Sequence, residues 1–204
     1  MPSPFKQVFF EDFTFHIHES VYEPAEDSFL FADCLDLKRG EVVLDVGTGC
    51  GILGIISADK AKKVVATDLN PYAVRCARNN AKINGVANKI LFMQGDLFRP
   101  VVQEELFDLI LFNAPYLPSA PSESRSWLNR AWAGGIDGRQ IIDRFICNAS
   151  KYLRENGRIL LMQSTLSDVD KTLHKFEKDK FKTNIIVDCA LPFFEQIVLI
   201  KVER

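Results

Sequence analysis

The sequence VVLDVGTGCGILG occupies residues 42–54. Its first five residues form an apolar run interrupted only by Asp45, which is typical of a strand buried on both faces of a parallel sheet. A glycine-rich turn follows, and residues 52–58 predict a helix. The order of strand, glycine turn and helix is typical of α/β proteins that bind a ligand at the carboxyl ends of their strands.

The same alternation of helices and strands continues on both sides of this segment. Helices are predicted for residues 25–37, ended by Gly40, for residues 71–83, capped by Asn70-Pro71, for residues 141–153, ended by Gly157, and for residues 168–178. Strands are predicted at 13–18, 64–67, 90–93, 109–112 and 158–162, with 185–190 and 197–202 as a closing antiparallel pair. Such alternation predicts a doubly wound sheet whose parallel strands are joined by right-handed helical crossovers.

The size and charge of the chain restrict its function. Its 204 residues predict a single domain, residues 1–204, with a short strand extension over residues 1–20. Lys and Arg number 25 while Asp and Glu number 27, which gives a net charge of −2. Because nucleic-acid affinity comes largely from phosphate neutralisation, this balance makes a polynucleotide partner unexpected.

The cysteines and the apolar segments indicate the compartment. Five cysteines are widely spaced without a CxxC pair, which argues against a disulfide framework or a zinc knuckle and favours the reducing cytoplasm. Neither a signal peptide nor a membrane-spanning stretch is predicted. His16 and His18 lie on the same face of a predicted strand, but no third ligand cluster stands nearby in sequence, so we expect a solvated strand face and no metal site.

The glycine turn can be interpreted in two ways. Gly49-x-Gly51-x-x-Gly54 fits the dinucleotide fingerprint, which places a pyrophosphate at the helix N-terminus. Asp45 followed by Gly-x-Gly-x-Gly instead resembles motif I of the S-adenosylmethionine-dependent methyltransferases. The glycines alone do not decide between a nicotinamide-dependent oxidoreductase and a methyltransferase.

Three carboxylates favour the methyl donor. Asp45 would repel a pyrophosphate but attract the ammonium group of a methionine moiety. Asp68, after the second strand, is placed to accept hydrogen bonds from two ribose hydroxyls in either interpretation. Asp96 follows the third strand, where methyltransferases commonly contact the adenine amino group. Three successive strands that each end in a carboxylate therefore predict S-adenosylmethionine as cofactor.

The fourth strand ends in Asn113-Ala114-Pro115-Tyr116, which resembles the [Asn/Asp]-Pro-Pro-[Tyr/Phe] motif of methyltransferases that act on a planar amide or amino nitrogen. The lone pair of such a nitrogen is conjugated, so the enzyme must orient it rather than deprotonate it. A side-chain oxygen of Asn113 and the carbonyl of Ala114 can each accept one N–H, while Tyr116 packs on the flat face of the group.

Two further segments are similar to the HemK/PrmC family, in its short archaeal and eukaryotic branch. They are VYEPAEDSFL at residues 21–30 and AWAGGIDGR at residues 131–139, and the similarity runs from about residue 21 to the C-terminus. Members are protein N5-glutamine methyltransferases that act on the Gly-Gly-Gln loop of class 1 translation release factors. The resemblance implies a seven-stranded Rossmann-like class I methyltransferase fold and this activity.

The resemblance also assigns roles to individual residues. It implies that the glutamine is held by Asn113, Ala114, Pro115, Tyr116 and Trp132, of which Asn113, Pro115 and Tyr116 are catalytic. Ala114 is a departure, because the family usually has proline there; it is still biased to an extended backbone by Pro115 and adds an N–H. The cofactor is expected to lie among Tyr22, Ser28, Asp45, Gly47, Thr48, Gly49, Gly51, Asp68, Leu69, Asp96, Leu97 and Asn113.

Residues 117–135 are expected to form a substrate lid. The polar stretch from Pro118 to Asn129 is too irregular for the core, and loops longer than about 12 residues are often lids. Trp127 and Trp132 are expected to line a wall around the substrate peptide.

The partners are expected to be a release factor, as substrate, and a small zinc-binding activator protein. The resemblance implies the activator, which could add a strand to the apolar edge strand at residues 90–93. Two alternatives keep the methyltransferase chemistry but change the target to a lysine or an exocyclic adenine amine. Two others change the class, to the oxidoreductase above or to a non-catalytic cofactor-binding module.

Overall fold

The computed structural model describes residues 5–120, 122–190 and 195–204. Residues 1–4 of the expected strand extension and Pro121 of the expected lid lie outside the described residues. The chain forms two compact units, Met1–Val102 and Gln103–Arg204. In the described part of the chain, no helix is both long enough and apolar enough to cross a bilayer.

The first unit begins with an antiparallel hairpin and continues with three parallel strands that alternate with helices. β4 pairs with β3 on one side and with β5 on the other, so the carboxyl ends of the three strands lie at the same edge. The elements are β1 (Phe5–Phe10), β2 (Phe13–His18), α1 (Glu26–Asp33), β3 (Val42–Val46), α2 (Ile52–Ser57), β4 (Lys63–Asp68), α3 (Pro71–Ile83) and β5 (Ile90–Gln94).

The second unit carries four strands. β7 is parallel to β6 and antiparallel to β9, which also pairs with β8. The elements are β6 (Phe107–Asn113), α4 (Trp127–Arg130), α5 (Gln140–Ala149), β7 (Leu153–Ser164), α6 (Val169–Lys178), β8 (Lys182–Ala190) and β9 (Gln196–Glu203). Inside this unit the ring of Phe112 on β6 stacks on that of Phe145 on α5, with centroids 4.4 Å apart.

The larger sheet has seven strands in the order β5-β4-β3-β6-β7-β9-β8. The predicted doubly wound α/β fold, with its closing antiparallel pair, is therefore confirmed. β5 stands at one end of the strand order, as expected for the third strand of a methyltransferase sheet, and β8 stands at the other end.

Two predicted helix ends were wrong. The helix predicted to reach residue 37 ends at Asp33, because the chain tightens there and the N–H of Leu35 bonds to the carbonyl of Ala32. The helix predicted to reach residue 153 ends at Ala149. Gly157 does not end it but lies within β7, where a Cβ atom would stand 3.0 Å from the carbonyl oxygen of Phe107.

The strand extension is a hairpin, since β1 pairs along the whole length of β2. Phe10 stacks on Phe29 of α1, and Phe15 of β2 is fully buried. His16 and His18 share the less buried face of β2, as the alternation predicts, although both are half-buried and His18 stacks on Tyr72 of α3.

Candidate active site

The glycine turn after β3 has a backbone that glycine adopts readily. Gly47, Gly49 and Gly51 have φ angles of 69°, 58° and 93°, in the left-handed region that costs other residues about 1 kcal/mol or more. The N–H groups of Gly47 and Thr48 both donate to the carbonyl of Thr67, at 2.8 and 3.0 Å. The turn is thereby fixed to the neighbouring strand β4.

Asp45 lies beneath this turn, with 1% of its surface exposed. Its Oδ2 accepts the Thr48 hydroxyl at 2.6 Å and the Gly54 N–H at 3.0 Å. A Cβ atom on Gly54 would stand 2.9 Å from that oxygen, which explains why glycine occupies this position in α2. The carboxylate therefore joins the two ends of the turn.

Asp68 joins the turn to α3. Its Oδ2 accepts the N–H of Gly49 at 2.9 Å, and its Oδ1 accepts the N–H of Asn70 at 2.8 Å. Asn70 is the predicted N-cap of α3, and its side chain accepts the N–H of Tyr72. Because each carboxylate oxygen has two lone pairs, both oxygens of Asp68 can still accept a hydroxyl.

Burial changes the acidity of both carboxyl groups. Burial raises the pKa of Asp45 to about 6, although the hydrogen bonds from Thr48 and Gly54 oppose it. Burial also raises the pKa of Asp68 to about 6, against the N–H groups of Asn70 and Gly49. Both groups therefore change charge about two pH units above an ordinary aspartate.

The loop after β5 lies against the end of β4. The N–H of Gly95 donates to the carbonyl of Asp68 at 2.9 Å, and the Thr67 hydroxyl donates to the carbonyl of Leu97 at 3.2 Å. Asp96 lies between these two contacts. The structure thus brings the predicted residues Asp68, Asp96 and Leu97 together, while Leu69 stands beside them with 47% of its surface exposed.

A carboxylate outside the predicted set connects two predicted residues. Asp27 Oδ1 accepts the Tyr22 hydroxyl at 3.2 Å and the Ser28 N–H at 2.7 Å. Burial and the charge of Asp27 raise the pKa of the Tyr22 hydroxyl, so the phenol stays protonated and donates. Asp27 lies on α1, which packs against α2, the helix that begins at the glycine turn.

The surroundings of the turn fit S-adenosylmethionine. A Cβ atom on Gly49 would meet no described atom within 4 Å, whereas one on Gly51 would stand 3.0 Å from Ala77 of α3. The turn is therefore open beside Gly49 and closed beside Gly51. Asp68, which accepts the N–H of Gly49 at this open side, and the negative charge of Asp45 beneath the turn suit hydroxyl and ammonium donors rather than phosphates.

In the second unit, Asn113 ends β6 and begins the predicted Asn-x-Pro-Tyr segment. It stands opposite Met162 of β7, and the N–H of Ala114 donates to the Met162 carbonyl at 3.3 Å. A proline at position 114 has no such N–H. Alanine in place of the family's usual proline thus gives this chain an additional hydrogen bond between the segment and the sheet. The Ala114 side chain is buried.

The predicted lid is anchored where it starts and ends. The N–H of Leu117 donates to the carbonyl of Trp132 at 3.0 Å, and the N–H of Gly134 donates back to the carbonyl of Leu117 at 2.8 Å. Between these ends lie a 3-10 turn, Glu123–Arg125, and the short helix α4. On α4 the guanidinium of Arg130 lies 4.9 Å from the centre of the Trp127 ring.

Gly138 and Arg139 fix the second end of this loop. Gly138 has a φ of 70°, and a Cβ atom there would overlap the carbonyl oxygen of Tyr116. Arg139 is buried, and its guanidinium donates to the carbonyls of Ser167 and Asp168 and to the Thr172 hydroxyl.

Arg139 also pairs with the carboxylate of Asp143, one turn along α5, at 2.8 Å. Gly138 and Arg139 belong to a segment that carries the family resemblance, but no role was predicted for either residue. The sequence carries no clear signal for Arg139, because its partners Ser167, Asp168 and Thr172 lie 28 to 33 residues later in the chain.

The comparisons with known proteins agree with this geometry. A family model described as ribosomal protein L11 methyltransferase (PrmA) matches residues 29–114. A Methanocaldococcus jannaschii protein named as a putative protein N5-glutamine methyltransferase is 44% identical over 185 residues, which are 90% of this chain and 92% of that protein. Methyltransferase HEMK2 of Homo sapiens is 35% identical over 153 residues, which are 70% of this chain and 71% of the human protein.

The chain belongs to the family of protein N5-glutamine methyltransferases. The predicted HemK/PrmC relationship is thereby confirmed. A solved structure is similar to this chain, with a TM-score of 0.72, 26% identity, and coverage of 91% of this chain and 99% of that one. It is the E. cuniculi Mtq2-Trm112 complex, described as responsible for methylation of the termination factor eRF1. A tRNA methyltransferase of M. jannaschii, at 20% identity and a TM-score of 0.74, shares the fold; this chain is covered completely and that chain to 57%.

The fit between Gly138 and Tyr116 can be tested by Gly138→Ala. The substitution costs about 1 kcal/mol for the left-handed backbone and about 1–3 kcal/mol for the overlap with the Tyr116 carbonyl. Gly85→Ala is a matched control, because Gly85 has a φ of 71° and a Cβ atom there would meet no described atom within 4 Å. Urea unfolding should show a clearly larger loss of stability in Gly138→Ala, and equal losses would contradict the assignment.

Proposed function

We propose that this protein transfers a methyl group from S-adenosylmethionine to the side-chain amide nitrogen of a glutamine in a translation release factor. The observation that carries the proposal is the Asn113–Tyr116 segment, which ends β6 and is tied to β7 through Ala114. The chain that contains this segment is 44% identical to a protein named as an N5-glutamine methyltransferase. The release factor is suggested by the E. cuniculi relative, which is described with eRF1, and the Gly-Gly-Gln loop by the family resemblance.

The first unit would hold the cofactor. Asp68 would accept the ribose hydroxyls, Asp45 would favour the ammonium group, and Asp96 with Leu97 would border the adenine. The open side of Gly49 allows the ligand to approach the backbone of the turn, and Tyr22 and Ser28, ordered by Asp27, would line the donor pocket. When bound, S-adenosylmethionine supplies a methyl group activated by its positively charged sulfur.

The second unit would hold the glutamine. The side-chain oxygen of Asn113 and the carbonyl of Ala114 would each accept one N–H of the amide, and Tyr116 would pack on its face. So held, the nitrogen lone pair would face the donor methyl group; transfer would replace the S–C bond by the new N–C bond, leave a neutral thioether, and release the extra proton to water. Orientation supplies the catalysis, so no strong base is required.

The region from 117 to 135 would act as the substrate lid. The hydrogen-bonded ends at Leu117 and Gly134 support a loop with fixed ends, and Trp132 lies in the paired part. The whole chain would then work as one methyltransferase domain. Because its substrate acts in translation, we place the protein in the cytoplasm.

The activity test is transfer of labelled methyl groups to a release factor, with and without the glutamine of its Gly-Gly-Gln loop. We expect Asn113→Ala to reduce kcat at least about 100-fold while the Kd for S-adenosylmethionine stays within a few-fold of wild type. Asn148→Ala is the control, because that side chain bonds to Arg144 and Lys151 on the surface of the same unit. Incorporation that survives loss of the glutamine would point to a lysine or another target.

The raised pKa values predict how cofactor binding depends on pH. The ionised forms of Asp45 and Asp68 bind the positively charged cofactor, so binding weakens as the pH falls through about 6. We expect the Kd to be about tenfold higher at pH 5 than at pH 7.5 for each carboxylate involved. Calorimetry across this range measures it, and Asp68→Asn should flatten the profile. A constant Kd would contradict the assignment.

The same shift affects stability with the opposite sign. The folded protein holds these two protons more tightly than the unfolded chain, whose aspartates titrate near pH 4. The contribution of the two groups to stability therefore decreases as the pH rises from about 4 through 6. Weaker cofactor binding at pH 5 is for this reason not explained by unfolding of the turn.

A small zinc-binding activator protein would pair with β5, an outer strand of the sheet. The E. cuniculi relative forms a complex with Trm112, which supports a partner protein for this chain. Leu91 is 47% exposed on β5, whereas Ile90 is buried, so Leu91 is the residue through which the contact can be tested.

Co-expression with such an activator should increase the soluble yield of the wild type, and Leu91→Glu should abolish the increase. Ile185→Glu is the matched control, because Ile185 is 46% exposed on β8, the outer strand at the other end of the order. Equal effects of the two substitutions would contradict a partner at β5.

A further inference from the structure

Two asparagines join the N-terminal hairpin to α3. Asn84 Oδ1 accepts the N–H of Thr14 at 2.9 Å, and its Nδ2 donates to the Thr14 carbonyl at 2.8 Å. One turn earlier, Asn80 Oδ1 accepts the N–H of His16 at 2.9 Å, and its Nδ2 donates to the His16 carbonyl at 3.1 Å. Each side-chain amide thus bonds to both the N–H and the carbonyl of one β2 residue, as the backbone of a neighbouring strand would.

The spacing of these residues explains the arrangement. Four residues of a helix advance about 6 Å, and two residues of a strand advance about 6.7 Å. Asparagines four apart on α3 therefore meet residues two apart on β2. The hairpin is fixed in one register along the helix, and Asn80 at the centre of this contact is fully buried.

Besides a weaker contact with Cys76 Sγ at 3.7 Å, Asn80 makes a contact with the glycine turn that Asn84 does not share. Its Nδ2 also donates to the carbonyl of Cys50 at 2.8 Å, in the middle of the glycine turn. The two N–H bonds of one amide group thus connect β2 and the turn. Asn84 instead donates to the carbonyl of Asn80, at 2.8 Å on the same helix.

From these contacts we infer that Asn80 is a positioning residue for the cofactor, through which the hairpin of residues 5–18 holds the glycine turn in its binding conformation. The inference rests on the proposed function, since it takes the turn as the cofactor site. Asp68 fixes the turn at the N–H of Gly49, and Asn80 fixes it at the carbonyl of the next residue, Cys50. Cofactor affinity therefore depends on a side chain and a hairpin outside the cofactor motifs.

The test compares Asn80→Ala with Asn84→Ala. Both variants remove one side-chain amide that bonds to the hairpin backbone, but only Asn80→Ala frees the Cys50 carbonyl. We expect Asn80→Ala to raise the Kd and the KM for S-adenosylmethionine at least about tenfold, the equivalent of one lost buried hydrogen bond, with kcat at saturating cofactor near that of wild type. Asn84→Ala should leave the Kd within about twofold of wild type, because the bond to Cys50 remains. Equal Kd changes in the two variants overturn the inference.

A measurement on the wild type covers the case in which Asn80→Ala does not fold. Energetic coupling through Asn80 acts in both directions. If the hairpin stabilises the binding conformation of the turn, bound cofactor should stabilise the hairpin in return. Saturation with S-adenosylhomocysteine, the demethylated product, should slow hydrogen exchange of the His16 amide, which bonds to Asn80, more than that of Thr14, which bonds to Asn84. Equal slowing, or none, contradicts the coupling, whereas failure of the wild type to bind would contradict the proposed function instead.

Discussion

Two carboxylates, the buried Asp45 and the half-buried Asp68, hold the glycine turn that the first unit presents at the end of β3. A turn with three residues in the left-handed backbone region makes few hydrogen bonds within its own backbone. Its conformation therefore depends on hydrogen bonds to neighbouring residues. Asp45 closes it from below through Thr48 and Gly54, and Asp68 fixes it at Gly49. Their raised pKa values follow from the same burial that makes these bonds firm.

The second unit solves a comparable problem with different groups. The Asn113–Tyr116 segment leaves β6 and has to stay extended, and it is held by the Ala114 N–H on one side and by the close approach of Gly138 to Tyr116 on the other. Arg139, beside that glycine, is buried among carbonyls and a carboxylate. In both units a loop that carries predicted site residues is thus held by contacts with neighbouring segments of the same unit.

The sequence was sufficient to predict several features that depend on residues close together in the chain. The strand-turn-helix pattern at 42–54, the Asn70 cap and the alternation of elements are local, and the structure has them as predicted. Hydrogen bonds between segments that are distant in sequence could not be predicted from such local patterns. Asn80 reaches β2, 64 residues earlier, and Arg139 reaches Thr172, 33 residues later. Asp27 was not among the predicted site residues, although it lies between Tyr22 and Ser28 in sequence. Its hydrogen bonds to both residues are visible only in the structure, where α1 orients the carboxylate toward them.

Of the two helix ends that failed, that of α1 has a local cause, the bond between Leu35 and Ala32, whereas the role predicted for Gly157 failed because of a contact with a distant segment. Gly157 was predicted to end a helix because glycine often does so, but in this chain it permits a close approach of β7 to Phe107. His16 lies on the less buried face of β2, as the alternation predicts, but its backbone bonds to Asn80 of α3, which the alternation could not indicate. Periodicity describes one element at a time, whereas burial depends on what packs against it.

Locating the methyl group that the protein transfers is the most direct test of the proposed activity. Mass spectrometry of a release factor after incubation with the protein and S-adenosylmethionine should find one added methyl on the side-chain nitrogen of the glutamine in its Gly-Gly-Gln loop. A methyl group on a lysine, or on another residue, would contradict the assignment of Asn113 and Ala114 as acceptors for a glutamine amide.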